Sequence, residues 1–329
     1  MPSISVLGLG NWGTALANHL AVKGFDVLGW SIEQDIVASV NSEHRNIRYL
    51  SDVHLSKRLR ATASLSDALQ ADFLILVVPS KALSEVVPAL KVSPNTILVS
   101  AIKGLETKTM STPLQFAARH MPVPCKLTVL SGPSFARDVV IQRPCGLVSA
   151  SSDEAAARAA AELFTSDSMK VYISSDPLGV ELGGILKNII ALAVGVSDGL
   201  GLGDSARAGL ITRGLAEIMR LAEAMGADPR TFSGLSGLGD LAMTSTSDLS
   251  RNRTVGVRLG KGEKLDQIIS SLGSVAEGVT TTPLVLQLAK KYSVDMPITD
   301  HVAKLIEGTM SPAEAVKGLI SRPMRREIG

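Results

Sequence analysis

The string Gly8-Leu9-Gly10-Asn11-Trp12-Gly13 follows an apolar run, Ile4 to Leu7, and leads directly into a helical pattern from Thr14 to Val22. Few short strings restrict a chain more, because each glycine meets a separate steric demand where a strand turns into a helix. Gly8 permits the tight turn, Gly10 lets a pyrophosphate reach the backbone, and Gly13 lets helix and strand pack closely. The unpaired N–H groups at the helix start then face the anion. Alone, the string also suits a glycine-rich turn with no ligand; the strand before it and the helix after it favour a dinucleotide.

A ribose-binding acid is expected about 20 residues further on. Glu33, just past the second strand, is the candidate, with a solvated loop acid as the equal alternative. Arg45 and Arg48 are the basic groups able to fold back toward a 2′-phosphate, so NAD and NADP both stay open.

Further along, short strand-like runs alternate with helical ones. Val27 to Trp30, Phe73 to Val78, Thr96 to Ser100, Leu127 to Leu130, Gly146 to Ala150 and Lys170 to Ile173 read as strands. Between them Leu83 to Leu90, Met110 to Arg119 and Asp153 to Phe164 read as helices, the last opened by Ser151 and Glu154 in capping-box spacing. This alternation predicts a mostly parallel sheet covered by helices on its faces.

After Pro177 the strand signal stops. Leu178 to Val196, Ser205 to Met225, Asn252 to Leu259, Leu265 to Leu272, Thr282 to Tyr292 and Ile298 to Ile306 read as helices. A last one, Ala313 to Ile320, is announced by Ser311, Pro312 and Glu314: a cap, an N1 proline and a capping-box acid. An α/β domain over residues 1–177 is therefore expected to precede an all-α domain over 178–329. Small ligands favour the cleft between two such domains.

Composition narrows the function classes. The 329 residues are 45% hydrophobic and 19% charged, within the globular range and long enough for two domains of roughly 100–200 residues. Aromatics are 3% against 29 glycines, so the core is aliphatic with many bare backbone positions. A net charge of +2 provides no field to attract nucleic acid or an acidic membrane, so any anion must be small and met by local groups. Cys125 and Cys145 match neither a metal-ligand spacing nor a disulfide framework, and no metal cluster is apparent, which fits a reducing cytoplasm. The N-terminal stretch lacks a basic leader, and the run Ile189 to Val196 is too short to span a bilayer. Arg322, Arg325 and Arg326, beside Glu327, read as a solvated terminus.

Five further strings occur in order: Lys103-Gly104-Leu105-Glu106, Ser131-Gly132-Pro133-Ser134-Phe135-Ala136, Gly183-Gly184-Ile185-Leu186-Lys187-Asn188, Gly237-Leu238-Gly239-Asp240-Leu241 and Ser250-Arg251-Asn252-Arg253. With the N-terminal loop they span Gly8 to about Pro297, and the ordered set resembles the bacterial-type NAD(P)-dependent glycerol-3-phosphate dehydrogenase family. The resemblance implies a Rossmann-type doubly wound domain joined to a helical domain of the 6-phosphogluconate dehydrogenase C-terminal type. It implies reversible reduction of dihydroxyacetone phosphate, a triose phosphate, to sn-glycerol 3-phosphate for phospholipid synthesis, with NAD or NADP, by a cytoplasmic homodimer.

On that resemblance Lys187 is the acid/base, because hydride addition to a ketone leaves an alkoxide that an ammonium can stabilise and protonate. Gly183 and Gly184 share its helical face and would leave room for a ligand; without the family pattern, a surface lysine beside packing glycines is the simpler reading. Asp240, alone a turn acid after Gly239, becomes the carboxylate that orients Lys187, and Asn188 a hydroxyl contact. Lys103, at a strand end, polarises the substrate or meets the cofactor. Ser250, Arg251 and Asn252 hold the phosphate at a helix start, where the alternative is a cap followed by a solvated basic turn. Gly132 and Ser134 carry over as substrate contacts. Asn11, Trp12, Tyr49, Lys103, Ala136, Arg251, Val275 and Glu277 join Gly8, Gly10 and Gly13 on the cofactor side. One departure stands out: where the family often places Arg or His against the adenosine phosphate, this chain has Ser31, Ile32 and Glu33, which predicts use of both cofactors with a weakened NADP bias.

Two rivals remain at this point. A hydroxy-acid dehydrogenase of the same architecture could set a carboxylate on the Arg251 site, and a dinucleotide sensor would keep the loop without chemistry. Lys187 and Asp240, both present, argue against the sensor.

Overall fold

The computed structural model describes residues 1–272, 276–324 and 326–327. They form two compact units, Met1–Glu181 with Ser233–Ser236, and Leu182–Phe232 with Gly237–Gly329. The division falls inside a helix that begins at Pro177, rather than at that proline.

The first unit is built on one sheet of eight strands: β1 (Ile4–Leu7), β2 (Val27–Trp30), β3 (Leu59–Thr62), β4 (Phe73–Leu76), β5 (Ile97–Ser100), β6 (Lys126–Ser131), β7 (Cys145–Ala150) and β8 (Met169–Ser174). Their order is β3-β2-β1-β4-β5-β6-β7-β8, parallel throughout except where β6 meets β7. Both faces are covered. Ile4 and Val6 of β1, Ile75 of β4 and Val99 of β5 enter one core, while Leu7, Leu74, Leu76 and Leu98 enter the other. A period-2 alternation between two apolar faces makes such strands read as unbroken apolar runs.

Helices α1 (Asn11–Val22), α2 (Gln34–Glu43) and α7 (Glu154–Phe164) bury residues in the first core; α4 (Leu83–Val86) and α5 (Pro113–His120) do so in the second. The short α3 (Leu65–Ala68) and α6 (Ala136–Val140) complete the unit. Local chemistry moves several boundaries from their expected places. Pro88 turns the end of the helix at Leu83 into a 3-10 turn, and Pro113 takes the N1 position of α5 behind a Thr112–Gln115 capping box. The cap of α7 is Asp153, whose side chain accepts from the Ala156 N–H; the Ser151 hydroxyl instead donates to the Leu127 carbonyl, so the expected Ser151–Glu154 box does not form.

Helix α2 and strand β3 are absent from the sequence reading. On this edge the Asn41 amide behaves like a neighbouring strand, donating to the Ala61 carbonyl at 2.9 Å and accepting from the Ala61 N–H at 2.8 Å. The edge of β3 is thereby covered by a side chain. Cys125 and Cys145 are free thiols, and burial pushes Cys125 up to about 11.

Glu181, buried, accepts from the Leu114 N–H at 2.9 Å and so caps α5. Burial raises its carboxyl to about 7, against the pull of the Thr112 and Leu114 hydrogen bonds. A carboxyl raised on folding holds its proton more tightly in the folded state. The stability it contributes is complete below the ordinary Glu value and is lost as pH rises through about 7. Glu181→Gln keeps the acceptor and removes the charge, so thermal melts should show a gain of roughly 1–3 kcal/mol at pH 8 and almost none at pH 5. Equal changes at both pH values would contradict this.

The second unit is helical: α8 (Pro177–Gly199, its first turn in the first unit), α9 (Gly203–Ala224), α10 (Asp240–Thr246), α11 (Arg251–Gly260), α12 (Leu265–Leu272), α13 (Glu277–Lys291), α14 (Pro297–Ile306) and α15 (Pro312–Ile320). The α15 capping box at Ser311 and Glu314 forms as the sequence suggests. Helix α13 starts five residues before the expected Thr282 and runs through Pro283, while the Thr282 hydroxyl donates to the Gly278 carbonyl at 2.6 Å.

Helix α8, at 23 residues, is long and apolar enough to cross a membrane, but that apolar window is entirely buried in the fold. Burial, rather than the length of the run Ile189 to Val196, marks it as a core helix. It crosses α11 at backbone contact. A Cβ on Gly195 would lie 2.3 Å from the Arg253 carbonyl oxygen, and one on Gly256 would lie 2.2 Å from that of Leu192. One turn on, Gly199 and Gly260 repeat the pattern. Asp198, nearly buried, binds Arg207 of α9 and Arg253 of α11, fixing three helices around one carboxylate.

Candidate active site

In the first unit the glycine loop has the geometry its sequence requires. Gly8 has φ +106, and a Cβ on Gly13 would stand 1.8 Å from the Gly8 carbonyl oxygen, so both positions exclude a side chain for reasons internal to the protein. Gly10 differs: a Cβ there meets no protein atom within 4 Å. The fold itself does not demand glycine at that point, whereas a pyrophosphate lying on the backbone does. Gly10 precedes α1 without a side-chain cap, leaving the first N–H groups of the helix to such an anion. The residues thus fit a dinucleotide.

Four of the other expected cofactor residues, Asn11, Trp12, Tyr49 and Ala136, lie in the same unit as the loop. Asn11 opens α1 and is exposed; half-buried Trp12 and Tyr49 pack on the core beneath it; Ala136 opens α6, which packs against α1. The Trp12 Nε1 is buried without a partner, an unmet donor beside the loop. The sequence reading missed Asn46. Fully buried, it donates to the Leu9 carbonyl and to the Thr14 hydroxyl, each at 2.8 Å, and accepts from the Arg48 and Tyr49 N–H groups. One amide therefore ties the 46–49 segment to the glycine loop.

A second group lies in the same unit. The Lys103 ammonium donates to the Gly132 carbonyl at 3.3 Å, and the Ser134 hydroxyl donates to that same oxygen at 3.2 Å. Nearby, Glu106 is buried and shapes the segment after Lys103 by accepting from the Lys108 and Thr109 N–H groups and the Thr109 hydroxyl. Its burial would raise the carboxyl, but the Thr109 and Lys108 donors together hold it below the usual range.

The second unit brings together Lys187, Asp240, Asn188, Ser250 and Asn252. Lys187 is 4% exposed and Asp240 0%, which removes the surface-lysine reading. Their side chains form an ion pair, and the Lys187 ammonium also donates to the Thr244 hydroxyl at 2.7 Å. Two buried charges are tolerated only as such a hydrogen-bonded pair. Asp240 is the first residue of α10, following a π-helical turn at Leu235–Gly239, rather than a turn acid. Thr244 lies one helical turn after Asp240 and faces the same way, a spacing visible in the sequence once the helix is known.

Next to this pair, Asn252 donates to the Asn188 side-chain Oδ1 at 2.9 Å and accepts from the Gly278 N–H at 2.9 Å. Ser250 is the N-cap of α11, its oxygen accepting from the Arg253 N–H at 3.2 Å, and Arg251 is the exposed first residue of that helix. Ser250 takes the cap of the alternative reading, but Arg253 is not a solvated base, since it pairs with Asp198 and Asp248. Glu277 opens α13; Val275 lies outside the described residues.

Comparison with known proteins identifies the family and the fold. Residues 3–157 match the family described as NAD-dependent glycerol-3-phosphate dehydrogenase N-terminus, and residues 176–317 match the corresponding C-terminus. Among relatives, glycerol-3-phosphate dehydrogenase [NAD(P)+] of Geobacter sulfurreducens is 46% identical, covering 98% of each chain, and that of Geobacter metallireducens is 47% identical, covering 99% of each. The solved glycerol-3-phosphate dehydrogenase of Coxiella burnetii superposes with a TM-score of 0.93 at 38% identity, covering 98% of this chain and 99% of that one. A Rossmann-type unit with its glycine loop, a helical unit with a buried Lys187–Asp240 pair, and near-complete coverage by these relatives place this chain in the NAD-dependent glycerol-3-phosphate dehydrogenase family.

Proposed function

We propose that this protein catalyses the reversible NAD(P)H-dependent reduction of dihydroxyacetone phosphate to sn-glycerol 3-phosphate, supplying glycerophospholipid synthesis. The observation that carries the reading is the buried Lys187–Asp240–Thr244 cluster next to Asn188 and Asn252. It sets a buried proton donor among polar groups of the helical unit.

When bound, the nicotinamide supplies a hydride to C2 of the ketone. Lys187 gives its proton to the C2 oxygen as that oxygen becomes an alkoxide, and takes it back in the oxidative direction. Asp240 and Thr244 aim the ammonium, and Asn188 contacts a substrate hydroxyl. Ser250, Arg251 and Asn252 hold the phosphate at the start of α11, where the guanidinium matches two phosphate oxygens and the helix N–H groups add donors. In the first unit, Gly8, Gly10, Asn11, Trp12, Gly13, Tyr49 and Ala136 hold the dinucleotide, and Lys103, Gly132 and Ser134 serve the substrate.

The purified protein should oxidise NADH or NADPH on addition of dihydroxyacetone phosphate and leave 2-oxo acids unreduced. No turnover with either nicotinamide would reject the reading, and turnover of a 2-oxo acid would replace it with the hydroxy-acid rival. A cytoplasmic homodimer belongs to the same reading, and a sedimentation mass of a single chain would contradict the dimer.

A further inference from the structure

The end of β2 is where a doubly wound sheet receives the adenosine ribose. Here it is fixed against the glycine loop, because the Gly8 N–H donates to the Trp30 carbonyl at 3.0 Å and Leu7 pairs with Trp30 in register. The three residues that follow turn into α2. The Glu33 N–H donates to the Ser31 hydroxyl at 3.1 Å, the hydroxyl donates back to the Glu33 carboxylate at 3.3 Å, and Glu33 occupies the N-cap position. Its carboxylate is thus held at the strand end by local bonds.

Arg48, one of the two basic side chains able to meet a 2′-phosphate, is engaged elsewhere. Its Nε donates to Asp35 at 2.6 Å and its Nη1 to Glu33 at 3.2 Å. The Arg48 guanidinium in turn holds the Asp35 carboxyl below the usual range, chiefly through that hydrogen bond. Arg48 does not swing on a free loop, since its own N–H donates to the Asn46 side-chain Oδ1 and Asn46 is clamped to Leu9 and Thr14. Two carboxylates against one guanidinium give these three side chains a net negative charge.

We propose that Glu33, with Asp35 holding Arg48 beside it, makes this enzyme prefer NAD(H) over NADP(H). A ribose 2′-hydroxyl can donate to the Glu33 carboxylate, whereas a 2′-phosphate, carrying nearly two negative charges, faces two carboxylates and an arginine already paired. The inference rests on the dehydrogenase reading and goes beyond the weakened NADP bias that the sequence suggests.

Calorimetric titration of the intact protein with NADH and with NADPH tests it without turnover. NADH should bind about tenfold tighter or more, as expected where like charges oppose a ligand. In the Glu33→Gln/Asp35→Asn double variant, which frees Arg48, the affinity ratio should move toward NADPH by about tenfold, and adding Arg48→Ala should cancel that gain. All three side chains are at least partly exposed, and a thermal melt verifies that each variant is folded. Equal or tighter NADPH binding by the wild-type protein would overturn the proposal, as would an unchanged ratio in the folded double variant. Binding of neither dinucleotide would be a different result, overturning the dehydrogenase reading itself.

Discussion

Lys187→Ala is expected to lower kcat for reduction of dihydroxyacetone phosphate by roughly 10²–10⁴-fold, the usual contribution of one positioned proton donor. NADH affinity, measured by titration, should change little, because the glycine loop belongs to the other unit. The variant carries a structural complication. Removing the ammonium leaves Asp240 buried at 0% exposure without its counter-charge, and breaking such a pair costs about 3–5 kcal/mol. The paired variant Lys187→Met/Asp240→Asn removes both charges and should recover most of that stability in urea denaturation while leaving turnover as low as in Lys187→Ala. If turnover recovered along with stability, Lys187 would be a structural lysine and not the proton carrier.

The second large effect concerns packing. Gly256→Ala should destabilise the protein by about 2–4 kcal/mol, although alanine is the better helix former by about 1 kcal/mol. The new methyl would sit 2.2 Å from the Leu192 carbonyl oxygen and 2.8 Å from the Gly195 Cα, both backbone atoms that move only if the helices part. Since α8 carries Lys187 and Asn188 while α11 begins with Arg251 and Asn252, the same shift should raise KM for the triose phosphate about tenfold or more. Gly209→Ala in α9 is the matched control: its Cβ meets nothing within 4 Å, so urea denaturation should show a gain of about 0.5–1 kcal/mol. A neutral Gly256→Ala would mean that the crossing is looser than the contact distances require.

The two glycine pairs explain part of what composition left open. A chain with 29 glycines and few aromatics needs bare positions for more than nucleotide binding. Gly195 and Gly199 against Gly256 and Gly260 let two backbones touch, and this contact brings the Asn188 and Asn252 side chains within a hydrogen bond of each other. The four-residue spacing is present in the sequence, but nothing local says which helices meet through it.

Elements that bury both faces or carry a local cap were legible. The runs at β1, β2, β4 and β5, and the Ser311-Pro312-Glu314 start of α15, follow from hydrophobic period and hydrogen-bond chemistry within a few residues. Strand β3 escaped because Leu-Arg-Ala-Thr is a half-polar edge, completed by the Asn41 amide 20 residues before Ala61. Helix α10 escaped because Asp-Leu-Ala-Met-Thr-Ser-Thr is only seven residues and more than half of it is Thr, Ser and Asp, too short to show a helical period without its tertiary setting.

For the site the division is similar. Gly8, Gly10 and Gly13, read with the strand before them and the helix after them, pointed to a dinucleotide loop, and the ordered strings pointed to Lys187, Asp240 and the Ser250–Asn252 turn. Asn46, Thr244, Asp198 and Glu181 carry no motif; each is significant because of a partner brought to it by folding. The sequence by itself determined the class of fold, the dinucleotide loop and the family, since these depend on short-range spacing and on the order of strings along the chain. Only the tertiary structure decided that Lys187 is buried against Asp240 and Thr244, that α8 and α11 meet through glycine, and that Arg48 is bound by Glu33 and Asp35. Burial and long-range pairing set those charges and contacts, and neither is encoded in any window of neighbouring residues.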